Sequence, residues 1–175
     1  MTLTIGSPAP GFSLPDTTGA RHGPAGAPAT VVVFTCNHCP YALAWHERIA
    51  DVARDYAEQG VVVLAVNSND ADRYPRDSYT AMQERVAREP DAWPMPYLHD
   101  ATQEVARSYD ARTTPDVFVL DAAGALAYRG APDADSDDPG LHAAWLRGAL
   151  DDVLAGRAVA TPQTEPVGCS IKWRA

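Results

Sequence analysis

The feature that most constrains this chain is a pair of uninterrupted apolar runs, Val31-Val32-Val33-Phe34 and Val61-Val62-Val63-Leu64-Ala65-Val66, separated by one long helical pattern. Neither run alternates with polar residues, so each suits a strand covered on both faces. Between them, Tyr41, Trp45, Ile49, Val52 and Tyr56 recur at spacings of four and three and form one apolar stripe. Pro40 suits a first helical position, where its missing N–H is not needed, and Gly60 suits the left-handed cap. The pattern therefore predicts a helix over Pro40 to Gln59. Strand, long helix, strand is a βαβ unit, hence a parallel pair with its crossover packed on one face of the sheet.

The remaining segments attach to that unit. Met1 to Thr30 is rich in Gly, Pro and Thr and reads as a lead-in with a small hairpin turning near Thr18-Gly19. After the second strand come a polar loop from Asn67 to Arg76, a helix over Asp77 to Arg88, a strand at Tyr97-Leu98 and a brief helix over Thr102 to Tyr109. Val117-Phe118-Val119-Leu120 and Leu126-Ala127-Tyr128 flank the turn sequence Asp121-Ala122-Ala123-Gly124, a β-hairpin pattern. Asp133 to Gly140 reads as a solvated acidic loop, and a last helix runs from Leu141 to Leu154. The expected class is α/β: a central mixed β-sheet flanked by helices, with an N-terminal hairpin and an α-β-α insertion. Residues 1–156 form one domain in this reading, and 157–175 an extended C-terminal tail packing on or near it.

Charge excludes some partners. The formal net charge is -9, and Lys172 is the single lysine among 14 basic residues, so no basic footprint for nucleic acid exists. An anionic membrane surface would repel such a chain, and no apolar run approaches the length of about 18 residues that a span needs. Met1 to Pro10 lacks the charged and apolar regions of a secretory signal, so the expected compartment is the cytoplasm. There thiols are held reduced, and a disulfide is transient, catalytic or sensing.

The chain has three cysteines, an odd number that a disulfide framework would not predict. Two of them, in Cys36-Asn37-His38-Cys39-Pro40, stand where the first strand ends and the long helix begins. A helix start offers unpaired N–H groups and about half a positive charge, both of which favour a thiolate. A spacing of three lets the second sulfur attack a mixed disulfide formed on the first. Cys36 is thus the expected nucleophile and Cys39 the resolving thiol. His38, if protonated beside Cys36, would stabilise the reduced form and make the disulfide more oxidising, between roughly -270 and -120 mV. The same spacing is half of a zinc site, but the other half would need a second pair, and only Cys169 and scattered histidines remain. No metal and no cofactor are expected.

Phe34-Thr35-Cys36-Asn37-His38-Cys39-Pro40, followed by Thr114-Pro115 and Val117-Phe118-Val119-Leu120-Asp121, resembles the thioredoxin-like superfamily. With Ile5-Gly6-Ser7-Pro8-Ala9-Pro10-Gly11-Phe12, the likeness is to its peroxiredoxin-like branch, the alkyl hydroperoxide reductase and thiol-specific antioxidant group. The resemblance implies a thioredoxin fold and an antioxidant or redox role. It also implies that Thr114 and Pro115 form a cis-proline loop opposite the cysteines, with a backbone edge where a peptide substrate pairs by strand addition. The chain departs from both family patterns. Peroxiredoxins carry Pro-x-x-x-Thr-x-x-Cys. A thiol at Cys39 puts Cys36 and Val32 in the threonine and proline places, and a thiol at Cys36 puts Val33 and Ala29 there. Thioredoxins place a tryptophan before the first cysteine and a buried acid in the preceding strand. Here stand Thr35 and an apolar strand, so no internal general base is evident.

The leading expectation is a thiol-disulfide oxidoreductase whose partners are protein or small-molecule thiols and disulfides. The alternatives are a thiol peroxidase taking peroxide at the same cysteines and a redox-inactive or metal-carrying binding module. Cys169, between Gly168 and Ser170, is a candidate third redox thiol. Arg112 is a candidate cation for the thiolates.

Overall fold

The computed structural model describes residues 2–175. Short strands β1 (Leu14–Pro15) and β2 (Arg21–His22) make the N-terminal hairpin. The βαβ unit is β3 (Ala29–Phe34), α1 (Pro40–Asp55) and β4 (Val62–Asn67). The insertion supplies α2 (Tyr79–Arg88), β5 (Tyr97–His99) and α3 (Glu104–Ser108). After β6 (Thr113–Thr114) come the hairpin β7 (Asp116–Asp121) and β8 (Leu126–Gly130), then α4 (Ala144–Leu154) and β9 (Cys169–Ser170).

The main sheet has the order β5-β4-β3-β7-β8, with β3, β4 and β5 parallel and β7 and β8 antiparallel to their neighbours. It is the mixed α/β sheet expected, and β3, flanked on both sides, is buried at every residue. Side chains alternate along each strand, so one valine run feeds two cores. Val31, Val33, Val63, Val117 and Val119 face Trp45, Ile49 and Val52 of α1 and Leu146 and Leu150 of α4. Val32, Phe34, Leu64 and Phe118 face α3, Tyr109 and Ile171 of the tail. Each such side chain buried stabilises the fold by about 1.5–3 kcal/mol before chain entropy is counted.

The long helix is α-helical to Asp55 and then tightens into a 3-10 turn over Ala57–Gln59, closed by Gly60 at φ +80°. The acidic loop departs from expectation. Asp133 is buried and accepts from both Trp45 Nε1 (2.8 Å) and Arg48 Nη1 (2.8 and 2.9 Å). It also takes the Ala143 N–H just ahead of α4 (2.9 Å). An arginine on the buried face of α1 thus has a buried carboxylate as partner, which removes the penalty either charge would meet alone.

The tail is held along its length. Thr164 N–H reaches the Arg129 carbonyl at 3.1 Å, Ile171 N–H the Arg112 carbonyl at 3.0 Å, and Asp70 N–H the Lys172 carbonyl at 2.8 Å. Buried Gln103 donates to the carbonyls of Ser68 (2.7 Å) and Lys172 (2.8 Å), and its Oε1 accepts the Arg174 N–H (2.9 Å). No helix among the described residues is long and apolar enough to cross a membrane.

Candidate active site

The site is assembled from four pieces: the start of α1, the turn before β7, the loop after β4, and the tail. β3 and its partner β4 deliver the chain to Thr35, whose N–H bonds the Val66 carbonyl (2.8 Å), and release it into Cys36. Cys39 is the residue before the first helical position, which Pro40 occupies. Its backbone N–H points at the Cys36 sulfur (3.3 Å). The Thr114 hydroxyl lies 3.3 Å from the same sulfur, and the Thr114 carbonyl accepts from the Cys39 thiol at 3.0 Å. The Thr114-Pro115 bond is cis. Both cysteines are buried, Cys36 1% and Cys39 0% exposed, and both thiols are free.

The two sulfurs touch and titrate as a unit, one negative charge between them. Their contact and burial, taken alone, push Cys36 up, with Asp77 adding to the push, and the same contact draws Cys39 down to about 4. The hydrogen bonds argue for the opposite partition. A thiolate at Cys39 would set lone pairs against the Thr114 carbonyl oxygen at 3.0 Å, whereas a thiol donates to it. The Cys36 sulfur receives an N–H and faces a hydroxyl. We place the proton on Cys39 and the charge on Cys36.

His38 sets Nδ1 2.5 Å from the carboxylate of Asp77, which is wholly buried. The approach is too far out of line for a hydrogen bond. The ring stacks on Tyr74, with centroids 5.8 Å apart and planes at 6°. Asp77 also accepts from the Asn37 N–H (2.7 Å), Asn67 Nδ2 (3.0 Å) and Asn69 Nδ2 (3.0 Å). The apolar strand before the cysteines offers no acid, but a residue forty positions on brings one to the same place. Its hydrogen-bond distance to Asn37 could not be read from any local pattern.

Cys36, His38 and Asp77 each place one ligand atom within 4.8 Å of the others, a donor set that zinc accepts. Two ligands of a tetrahedral zinc at usual bond lengths lie about 3.3 Å apart. The 2.5 Å between His38 and Asp77 leaves no such room, and three other donors engage the carboxylate. The carboxylate is already engaged by protein donors, and the arrangement suits an imidazole beside a sulfur better than an ion.

The cation at the site is Arg85 of α2, not Arg112. Arg85 Nη1 donates to the Cys36 carbonyl (3.2 Å) and to Asn37 Oδ1 (3.0 Å), and its guanidinium lies 4.9 Å from the Trp93 ring centroid. Arg112 is exposed, its guanidinium 3.9 Å from Asp110. The sequence did carry a signal for Arg85: it falls three residues after Met82, on the buried stripe of α2, where a charge needs a partner. Asp116, next to Pro115, is buried with Oδ2 on the Arg112 N–H (2.9 Å) and Oδ1 without a partner. Burial pushes its carboxyl up to about 6. His46 is buried, with Nε2 at 2.7 Å from the Ala92 carbonyl, far from a catalytic role.

The backbone edge at Thr114 is filled. β9 pairs antiparallel with β6, setting Cys169 opposite Thr114. Cys169 packs on Cys36, Cys39 and Ala42, and burial, then contact with Cys39, pushes its thiol up to about 11. The structure therefore brings together Cys36, Cys39, His38, Thr114, Pro115 and Cys169.

The family model described as AhpC/TSA family matches residues 5–129. Among solved structures, an uncharacterized conserved protein from Geobacillus kaustophilus is 38% identical with a TM-score of 0.91, over 99% of this chain and 94% of that one. A hypothetical protein from Sinorhizobium meliloti 1021 is 39% identical with a TM-score of 0.91, over 100% of this chain and 97% of that one. A putative thiol:disulfide interchange protein, DsbE, from Chlorobium tepidum is 22% identical with a TM-score of 0.68, over 85% of this chain and 99% of that one, a likeness of fold. No curated protein matches the chain. The fold is thioredoxin-like, the family match takes in β3, α1 and the hairpin that carry the pocket, and the chain belongs to the AhpC/TSA family.

Proposed function

We propose that this protein is a thiol-disulfide oxidoreductase acting through Cys36 and Cys39. The observation that carries the reading is the unequal surroundings of the two sulfurs: Cys36 faces donors, and Cys39 faces an acceptor that holds its proton. That is the division of labour the chemistry needs. The Cys36 thiolate attacks one sulfur of a partner disulfide, forming a mixed disulfide and releasing the partner's other sulfur as a thiolate. Cys39 then loses its proton and attacks the Cys36 sulfur, closing the internal disulfide and expelling the second partner thiolate. Two electrons pass from the pair to the partner. His38, beside Cys36 and backed by Asp77, is the side chain placed to carry the proton.

The test is reduction of a glutathione mixed disulfide or of insulin, with Cys36→Ser as the control. Activity that survives the substitution would sink the proposal. Peroxide reduction at Cys36 is a second reading, favoured by the family and by the Thr114 hydroxyl at the sulfur. Hydrogen peroxide consumed no faster than by a free thiol in stopped flow would exclude it.

A further inference from the structure

A peptide that pairs with a sheet edge does so through main-chain bonds, with alternate side chains reaching into the protein. The chain's own tail does this here. Thr113 lies opposite Ser170 and Thr114 opposite Cys169, so the residue delivered to the cysteine pocket is itself a cysteine. The seat is close: a Cβ on Gly168 would lie 2.2 Å from the Thr114 carbonyl oxygen, a distance that only glycine permits. Bonds on either side hold the strand in register, from Ile171 N–H to the Arg112 carbonyl (3.0 Å) and from Lys172 N–H to Asn69 Oδ1 (2.9 Å). Cys39 is the sulfur in contact with both of the others. Cys36 is almost wholly covered, and Cys169 packs against the cluster it forms with Cys39 and Ala42.

We propose that the tail is a tethered substrate strand and that Cys169 is the built-in disulfide-exchange partner of the pair. The inference rests on the proposed use of Cys36 and Cys39. In the oxidised protein, the Cys169 thiolate attacks the Cys39 sulfur of the Cys36–Cys39 disulfide. A Cys39–Cys169 bond forms, the Cys36–Cys39 bond breaks, and its electron pair leaves on Cys36. The proton given up by Cys169 goes to solvent. The oxidation level of the protein is unchanged; the disulfide has moved. The leaving thiolate is the one that the Cys39 N–H and Thr114 hydroxyl stabilise. The product holds its oxidation in the tail and presents Cys36 as a free thiolate again, which a two-cysteine pair cannot do.

The experiment is disulfide mapping of the full chain. Protein oxidised with one equivalent of diamide is quenched in acid, cut with trypsin and analysed without reduction. Cys36 and Cys39 lie together in the fragment 22–48, and Cys169 lies in 158–172, so the exchange product is a cross-linked pair of fragments. We expect that pair in about a tenth or more of the wild-type protein, and as the main species in Cys36→Ser. Gly168→Ala, which unseats the strand, is expected to lower its yield at least about tenfold while the Cys36–Cys39 disulfide still forms. A wild type that closes Cys36–Cys39 with no cross-link, together with free Cys39 and Cys169 in Cys36→Ser, overturns this inference alone. A wild type that forms neither disulfide overturns the oxidoreductase reading as well.

Discussion

The start of α1 and the strand pair β6–β9 meet at the same three sulfurs, but they are held in place by different means. On the α1 side, residues within four positions of one another do the positioning: the Cys39 N–H bonds the Cys36 sulfur, and Pro40 begins the helix. On the β6–β9 side, Thr114 and Cys169 are brought together by register across more than fifty residues, through a strand of two residues with little apolar surface of its own. In the proposed function the first side supplies the thiolate, and in the proposed use of the tail the second supplies what meets it. Local geometry is robust because few contacts specify it. The long-range side rests on two register pairs and on the bonds that flank them.

The sharpest way to break this comparison is to remove the chemistry and leave the frame. Cys36→Ser keeps a group that can accept the Cys39 N–H, so thermal unfolding should shift by only a few degrees. Disulfide reduction should fall about a thousandfold or more, since a serine hydroxyl is not ionised at neutral pH. A matching loss of stability would mean that the two sides are not separable.

The next effect belongs to the β6–β9 side. Asp116 supports Arg112, whose carbonyl holds Ile171 of the tail. Its carboxyl is raised to about 6 by burial, above the ordinary 3.8 of the unfolded chain. The folded state therefore keeps a proton that the unfolded chain gives up, and this contribution to stability is lost as pH rises from about 4 to about 6. Asp116→Asn should remove that part of the slope, a difference of roughly 2–3 kcal/mol between urea unfolding at the two ends of the window. Equal slopes in the two proteins would contradict the assignment.

Unseating the tail sharpens the contrast from the other direction. Gly168→Ala should raise the iodoacetamide alkylation rate of Cys36 about tenfold or more, because the sulfur is covered while the strand is docked. An unchanged rate would show that something other than β9 covers it. The smallest effect is expected at Trp173, whose ring lies 4.5 Å from the Arg107 guanidinium carbon. Trp173→Ala should weaken tail docking by roughly 1 kcal/mol and be visible as faster amide exchange at Ile171, with α1 amides unaffected.

What could be read from the chain in advance follows the same division. The valine runs, the stripe from Tyr41 to Tyr56 and the cysteines between them are all short-range patterns, and they mark the elements that form, with α1 ending at Asp55 rather than Gln59 and β4 starting at Val62 rather than Val61. Asp77 could not be read that way. It sits at a helix start in a polar stretch, like many solvated aspartates, and only folding carries it under Asn37 and His38. Asp133 misled for the same reason, since three aspartates in a loop look solvated until Arg48 and Trp45 arrive from α1. Arg85 was legible in part, as a charge on a buried face. The tail strand was not, because a two-residue strand has no periodicity to detect.

The sequence by itself determined the βαβ unit and the placement of a cysteine pair at a helix start, since backbone periodicity and helix-end electrostatics act over a few residues. Tertiary structure alone decided which sulfur faces donors and which faces an acceptor, which acid stands beside His38, and that the chain's last cysteine occupies the edge beside Pro115. Those outcomes depend on donors and acceptors far apart in the chain, and no local pattern encodes the register that brings Thr114 against Cys39 and Cys169.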